Sequence, residues 1–330
     1  ADSPMKDVKR IIKEKTAVHY ALLYNSLNIF DCLWSLFFSI KEFFFCAFFK
    51  KKEFHENNNY KFLLQEAFLS DIPRGYLHNL LVYRAIQRFL AKSSAKKIVY
   101  PFENKSLEKM ILMGVGQSNV SPKTIGYQHA SITPRHLNFI FESGEADDTP
   151  LPNKIVTFGE LTKQYLTSSG NYPNGLISGA CALRQKWGKP YARNLKKIKS
   201  VNLLLVLSSS KVELLRSVKY FQEVLQLNDN IKLGVRPHIS FGMELLSPDL
   251  LVWVKDNALD MSNSSLVENL KWCDMTVYVS STVALESMMR GRPIINIDIG
   301  DYISPDPVLG NPEFQYTVKS PKELVECVEE

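Results

Sequence analysis

The sequence predicts an α/β protein of two Rossmann-like halves preceded by a helical N-terminal segment. Three observations predict it. From residue 76 onward, short β-type runs alternate with longer helical stretches, the pattern of a parallel sheet covered by helices. The alternation pauses over 185–199, which is basic and broken by glycine and proline, and resumes at Val201. In the second half, YVSSTVALESMMRGRPIINID from Tyr278 to Asp298 reads as strand, hydroxyl turn, helix, glycine turn and strand. The expected division is a helical segment over 1–75, a first half over 76–190 and a second over 191–330.

The first ninety residues read as helical and without a clear strand. The run from Phe30 to Phe49, FDCLWSLFFSIKEFFFCAFF, is followed by Lys50, Lys51 and Lys52. It approaches the length of a membrane span, but Asp31, Lys41 and Glu42 interrupt it, so no span is expected. Two readings stand. One is a buried helix pair. The other is an interfacial helix whose Phe and Trp enter the headgroup region while the lysines meet anionic lipid. Next come a helix over 76–92, a strand over 97–102, a helix from Ser106 and a strand over 123–127. A polar loop follows, then a strand over 154–158, a helix over 160–168 and a strand over 175–178. The second half starts with a strand over 201–207 and a helix from Lys211. Strands are expected over 231–235 and 250–254, a helix over 266–272, and strands over 275–279 and 293–297.

Composition narrows the function classes. The chain has 330 residues, 45% hydrophobic and 22% charged, which suits folded globular domains. Its net charge of +6 fits an anionic substrate or membrane surface. The lysines are dispersed and no nucleic-acid motif is present, so nucleic acid is not the expected partner. Five cysteines without CxxC spacing read as reduced cytosolic core residues rather than a zinc site. No secretory signal is visible.

The chemistry concentrates in three loops at strand C-termini of the second half. They are Ser208-Ser209-Ser210-Lys211, Arg236-Pro237-His238 and Ser280-Ser281-Thr282. Together they supply hydroxyls, backbone N–H groups and a cation, the requirements of an anion site. Glu286 follows Thr282 by one helical turn and faces the same side. In a doubly wound sheet these loop ends open onto one crevice, which suits a phosphate with a ribose attached. The plainer reading is that the serines cap helices and Arg236 is a surface charge. His238 would donate to a phosphate or protonate a leaving group, or be structural.

Residues 201–300 resemble the donor domain of GT-B glycosyltransferases, on the Ser280–Thr282 turn, Glu286 and Gly291-Arg292-Pro293. The resemblance implies that Glu286 binds the donor ribose. Arg236-Pro237-His238 beside the serine turn is similar to the motif pair that GT-B sialyl- and Kdo-transferases place around a CMP phosphate, with the histidine here after the proline. In the first half, Tyr100-Pro-Phe-Glu-Asn104, Gly126-Tyr-Gln-His129 and Gly179-Ala-Cys-Ala-Leu-Arg184 resemble bacterial surface-polysaccharide transferases that use CMP-activated ulosonic acids. Together the resemblances cover about residues 97–300. They imply a nucleotide-sugar donor, a polysaccharide or lipid-linked acceptor, and a cytoplasmic protein peripheral to the inner face of the membrane. No GT-A-type Asp-x-Asp motif is present, so no metal and no further cofactor is expected.

The candidate catalytic groups are Glu103 and His129. Glu103 follows a strand where side chains enter a crevice. It would act as nucleophile, base or stabiliser of an oxocarbenium-like centre, or merely favour the helix from Ser106. His129 follows the next strand and, as neutral imidazole, would take a proton from an acceptor hydroxyl. Glu108 reads as a surface or packing residue, and Glu142, Glu145, Asp147 and Asp148 as a solvated loop. Arg184 would bind a substrate carboxylate or form a linker salt bridge. Alternatives to the CMP-ulosonic-acid reading are a UDP- or GDP-sugar transferase, an epimerase, or a non-catalytic nucleotide-sugar-binding subunit.

Overall fold

The computed structural model describes residues 22–49, 75–180, 190–191, 200–239 and 241–329. A single-turn helix over Leu23–Ser26 leads into α1 (Ile29–Phe49), and α2 covers 75–90. Charge clamps these helices together. The Asp31 carboxylate is fully buried and ion-pairs with Arg84 Nη2 at 2.7 Å and Arg88 Nε at 3.0 Å. Burial alone would raise the Asp31 pKa, but hydrogen bonds from Arg88, the Asn28 N–H and Arg84 outweigh it and hold it below the ordinary carboxylate value. Trp34 stacks on Tyr83 with ring centroids 5.9 Å apart, and the Arg84 guanidinium lies 5.2 Å over the Trp34 ring.

The buried helix pair is not what forms. Residues 29–49 contain no glycine or proline, so one helix of 21 residues runs through. Asp31 does not interrupt it; it marks the side that faces the protein. Phe30 and Phe37, by contrast, are 73% and 63% exposed.

The smaller sheet has the order β1 (Lys97–Phe102), β2 (Lys123–Gln128), β3 (Lys154–Thr157), β4 (Ile177–Ala180). Strands β2 and β3 run parallel with Gly126 opposite Ile155. The longer helices of this part of the chain are α3 (Ser106–Gly116) and α4 (Glu160–Ser169), with a single-turn helix over Glu145–Asp148. Strand β4 starts two residues later than the apolar run predicts. A turn closes there first, with Gly175 at φ +79° and the Leu176 N–H donating to the Pro173 carbonyl at 3.2 Å.

The larger sheet has six parallel strands: β5 (Val201–Val206), β6 (Ile231–Arg236), β7 (Ala258–Asp260), β8 (Met275–Tyr278), β9 (Ile294–Ile297) and β10 (Tyr316–Val318). Their order is β10-β9-β8-β5-β6-β7. Read from β7, this is the doubly wound order 3-2-1-4-5-6. Strands covered on both faces read as continuous apolar runs, and Leu203, Leu204 and Leu205 are fully buried. The helices are α5 (Lys211–Leu227), α6 (Pro248–Asn257), α7 (Leu266–Trp272), α8 (Val283–Met289) and α9 (Pro321–Glu329). Leu214, Val218 and Phe221 of α5 pack with Leu324 of α9 against the β5 side chains Leu203 and Leu205. Gly234 of β6 is required by close packing: a Cβ there would lie 2.7 Å from the Trp272 ring.

Residues 250–254 do not form the expected strand. They lie inside α6, which starts at Ser247-Pro248 with proline in the first turn. The apolar LLVWV run faces Val224 and its neighbours as a helix side, burying Leu250 and Val254 while Val252 is exposed. By internal contacts the chain divides into two units. One is Ala1–Tyr127 with Phe141–Val156 and Tyr172–Leu176; the other is Gln128–Ile140 with Thr157–Asn171 and Ile177–Glu330.

Candidate functional site

The three loops singled out in the sequence leave the C-terminal ends of β6, β5 and β8, which are adjacent strands. The order reverses between β5 and β8, so the Ser208–Ser210 loop and the Ser280–Thr282 turn flank the switch point. One side chain joins them. Glu213, buried in the first turn of α5, accepts a short hydrogen bond from Ser280 Oγ. It also accepts from Arg135 Nη1 at 2.7 Å.

Most of the hydroxyls already have backbone work. Ser210 is the N-cap of α5 and accepts the Glu213 N–H at 3.4 Å. Ser208 Oγ accepts the Ser210 N–H at 3.2 Å, while Ser209 is exposed. Ser281 is buried and accepts the Val283 N–H at 3.3 Å. Thr282 is the exposed N-cap of α8 and makes no side-chain cap. These caps preshape the loops.

Arg236 donates through Nη1 to the Ser264 carbonyl at 3.0 Å and to Asn269 Oδ1. Burial lowers the pKa of its guanidinium, and the charge of half-buried Glu286 opposes that shift. Arg236 and Glu286 are therefore electrostatic neighbours. His238 lies beyond Arg236 in a tight bridge to Phe241, with ring centroids 6.1 Å apart. After α8, Gly291 takes φ +70°, and buried Arg292 donates to the Leu270 and Lys271 carbonyls at 2.8 and 3.2 Å. The Gly-Arg-Pro turn thus also caps the C-terminus of α7.

Sequence reasoning missed Glu213, Arg135 and Asp301. Arg135 also ion-pairs with Asp301 and donates to the Ile303 carbonyl at 3.1 Å. Arg216 holds the same Asp301 at 3.4 Å. The Ser210-x-x-Glu213 spacing, a capping-box signature, was the available signal for Glu213. Nothing local signals Arg135, whose partners are far away in sequence.

In the first unit, Glu103 follows β1 and ion-pairs with Lys105. The carboxylate that shapes this loop is Glu108. It is buried rather than at the surface, accepts the Glu103 N–H at 2.9 Å and the Asn104 N–H at 3.0 Å, and supports Asn104 at φ +52°. Burial raises the Glu108 pKa against the pull of those two bonds. His129 follows β2 and is half-buried. His136 closes a turn by accepting the Thr133 N–H at 3.0 Å. Glu142, Glu145, Asp147 and Asp148 are exposed around a one-turn helix, as a solvated loop should be. Arg184 lies outside the described residues.

Among the described residues no three His, Cys, Asp or Glu side chains gather as a metal-ligand set. A cavity of about 430 Å³ in the second unit is lined by apolar side chains including Ile132, Phe158, Leu161, Leu285 and Met288. None of the candidate residues lines it, though Leu285 and Met288 come from α8, the helix that carries Glu286.

No protein-family model matches the sequence, and no curated protein sequence matches it. Solved structures do match the fold. A chain of the GtfA/B complex aligns with TM-score 0.50 and 13% identity over 77% of this chain and 53% of that one. Anabaena Alr3699/HepE, solved with UDP and glucose, aligns with TM-score 0.49 and 9% identity over 76% and 70%. The lipopolysaccharide outer core galactosyltransferase WaaB aligns with TM-score 0.48 and 12% identity over 79% and 71%. The chain spans about half the length of several solved chains it matches, TarM among them. Two α/β sheets, four- and six-stranded, with the GtfA/B match at TM-score 0.50, give the GT-B fold class that the sequence led us to expect. At this identity the likeness extends to the fold alone.

Proposed function

We propose that this protein is a glycosyltransferase that binds a nucleotide sugar at the C-terminal edge of its larger sheet. The observation that carries the reading is the switch point between β5 and β8, where Ser280 and the Ser210-capped helix are tied together through Glu213. Such a crevice is where open α/β sheets bind nucleotides. Arg236 would balance phosphate charge, Glu286 would hold the ribose, and the Ser280–Thr282 turn would supply N–H donors.

The finer reading is a CMP-linked ulosonic acid as donor and a surface polysaccharide or lipid-linked sugar as acceptor. It is supported by the likeness of Arg236-Pro237-His238 and the serine turn to the CMP-binding motif pair. Glu103 and His129, at the ends of β1 and β2, are the proposed catalytic groups, with no obligatory metal. Arg184 would hold the substrate carboxylate. The acceptor would be met on the cytoplasmic side, at an anionic membrane surface.

Calorimetry with CMP, UDP and GDP tests this. The expected outcome is tightest binding of CMP, weakened about tenfold by Arg236→Gln, the loss of one charged contact. Preference for UDP or GDP would move the donor to the alternative transferase or epimerase class. Absence of binding by any of the three, in folded protein, would remove the transferase reading.

A further inference from the structure

We propose that the outward face of α1 docks the protein on an anionic lipid bilayer, with the helix lying along the surface. At about 100° per residue, Ile29, Phe30, Leu33, Leu36, Phe37 and Ile40 fall within an arc of about 120°. All six are large, apolar and exposed, from 46% at Leu36 to 73% at Phe30. The opposite side of the helix carries Asp31 and Ser35, both fully buried. The Asp31 ion pairs with Arg84 and Arg88 therefore fix which way the stripe points.

Charge selects the occupant. The acidic residues of α1, Asp31 and Glu42, fall on the protein-facing side of the helix. Lys41 sits at the edge of the apolar arc, exposed, with its ammonium 5.6 Å from the Phe38 ring centroid. Lys50, Lys51 and Lys52 follow α1 directly in sequence. An apolar stripe with Lys41 at its edge and three lysines next in sequence matches the headgroup region of an anionic leaflet. No helix among the described residues is long and apolar enough to cross a membrane, and Asp31 is already committed to α2.

This deepens the proposal of a lipid-linked acceptor and rests on it for its purpose, but its test needs no turnover. The measurement is co-sedimentation with vesicles of phosphatidylcholine, alone or mixed with phosphatidylglycerol. Wild type should pellet with the mixed vesicles, and on the order of tenfold less with phosphatidylcholine alone or in high salt. The double variant Phe30→Ser, Phe37→Ser should lose on the order of 100-fold in vesicle affinity. Its circular dichroism and nucleotide affinity should match wild type, because both side chains are exposed. Wild type that stays in the supernatant with anionic vesicles overturns the proposal, as does a double variant that pellets equally well. A wild type that ignores lipid and is a dimer by sedimentation equilibrium, made monomeric by the double variant, would assign the stripe to a second copy instead. Failure of nucleotide binding would remove the transferase reading and leave the vesicle result standing.

Discussion

The two sheets open with the same device and put it to different uses. In each, the first strand leads into a helix whose third residue is a buried glutamate: Glu108 after β1 and Glu213 after β5. The residue at the N-cap decides what that carboxylate does. Helix α3 has Lys105 there, which cannot accept a hydrogen bond, so Glu108 turns back and holds the Glu103 and Asn104 N–H groups itself. Helix α5 has Ser210, which caps it, and Glu213 is released to reach Ser280 and Arg135. One glutamate is spent on its own loop. The other organises two loops at a strand-order switch point.

That contrast is open to test, starting with the largest expected effect. Glu108→Ala leaves two loop N–H groups without their acceptor, one of them buried, and should cost about 3 kcal/mol in urea unfolding. Glu108→Gln should cost far less and change the pH dependence. Because burial raises the Glu108 pKa, its favourable contribution is complete below the unfolded carboxylate value and is lost as pH rises through the raised folded value. Glutamine should flatten that slope; an unchanged slope would mean Glu108 is not the group that titrates.

Glu213→Ala should cost less, about 2 kcal/mol, since Arg135 is 39% exposed and regains water when its partner is lost. It should also weaken nucleotide binding, which Glu108→Ala should not do in the fraction that remains folded. Equal effects of the two variants on nucleotide affinity would erase the distinction. Ser210→Ala should cost about 1 kcal/mol and draw Glu213 back towards its own helix end, loosening the Ser280 tie. Double-mutant coupling between positions 210 and 280 would reveal it. Glu103→Gln should change stability by less than about 0.5 kcal/mol, because its ion pair is with a largely exposed lysine. If Glu103 is catalytic, turnover should still fall on the order of 100-fold or more. Unchanged turnover would leave Glu103 as a loop residue beside the structural Glu108.

Much of this was legible in the chain. The strand-turn-helix-turn-strand at 278–298 is local pattern, and it folds as written. The run at 250–254 misled because periodicity alone cannot separate a short buried strand from a helix side; Ser247-Pro248 carried the correct signal. Glu213 was half legible, since the spacing announces a cap but not that the carboxylate would be turned elsewhere. The pairings of Arg135 with Glu213 and of Asp31 with Arg84 join positions far apart in sequence, and no local pattern encodes them. The aromatic run over 30–49 gave its apolarity but not its direction, which the distant arginines of α2 set.

The position of β5 also bears on how the protein acquires its shape. This strand pairs with β6, one helix later, and with β8, which arrives only after α5, β6, α6, β7 and α7 have all been made. The first pairing closes a short loop and the second a long one, so the second carries the larger chain-entropy cost. Topology of this kind puts β8, and with it Ser280, among the later pieces to dock. A folding intermediate with β5, β6 and β7 paired would have Ser210 capped and Arg236 in its strand, yet lack the partner that Glu213 reaches for. A nucleotide that binds there would hold the joined loops together and should slow global unfolding rather than speed collapse.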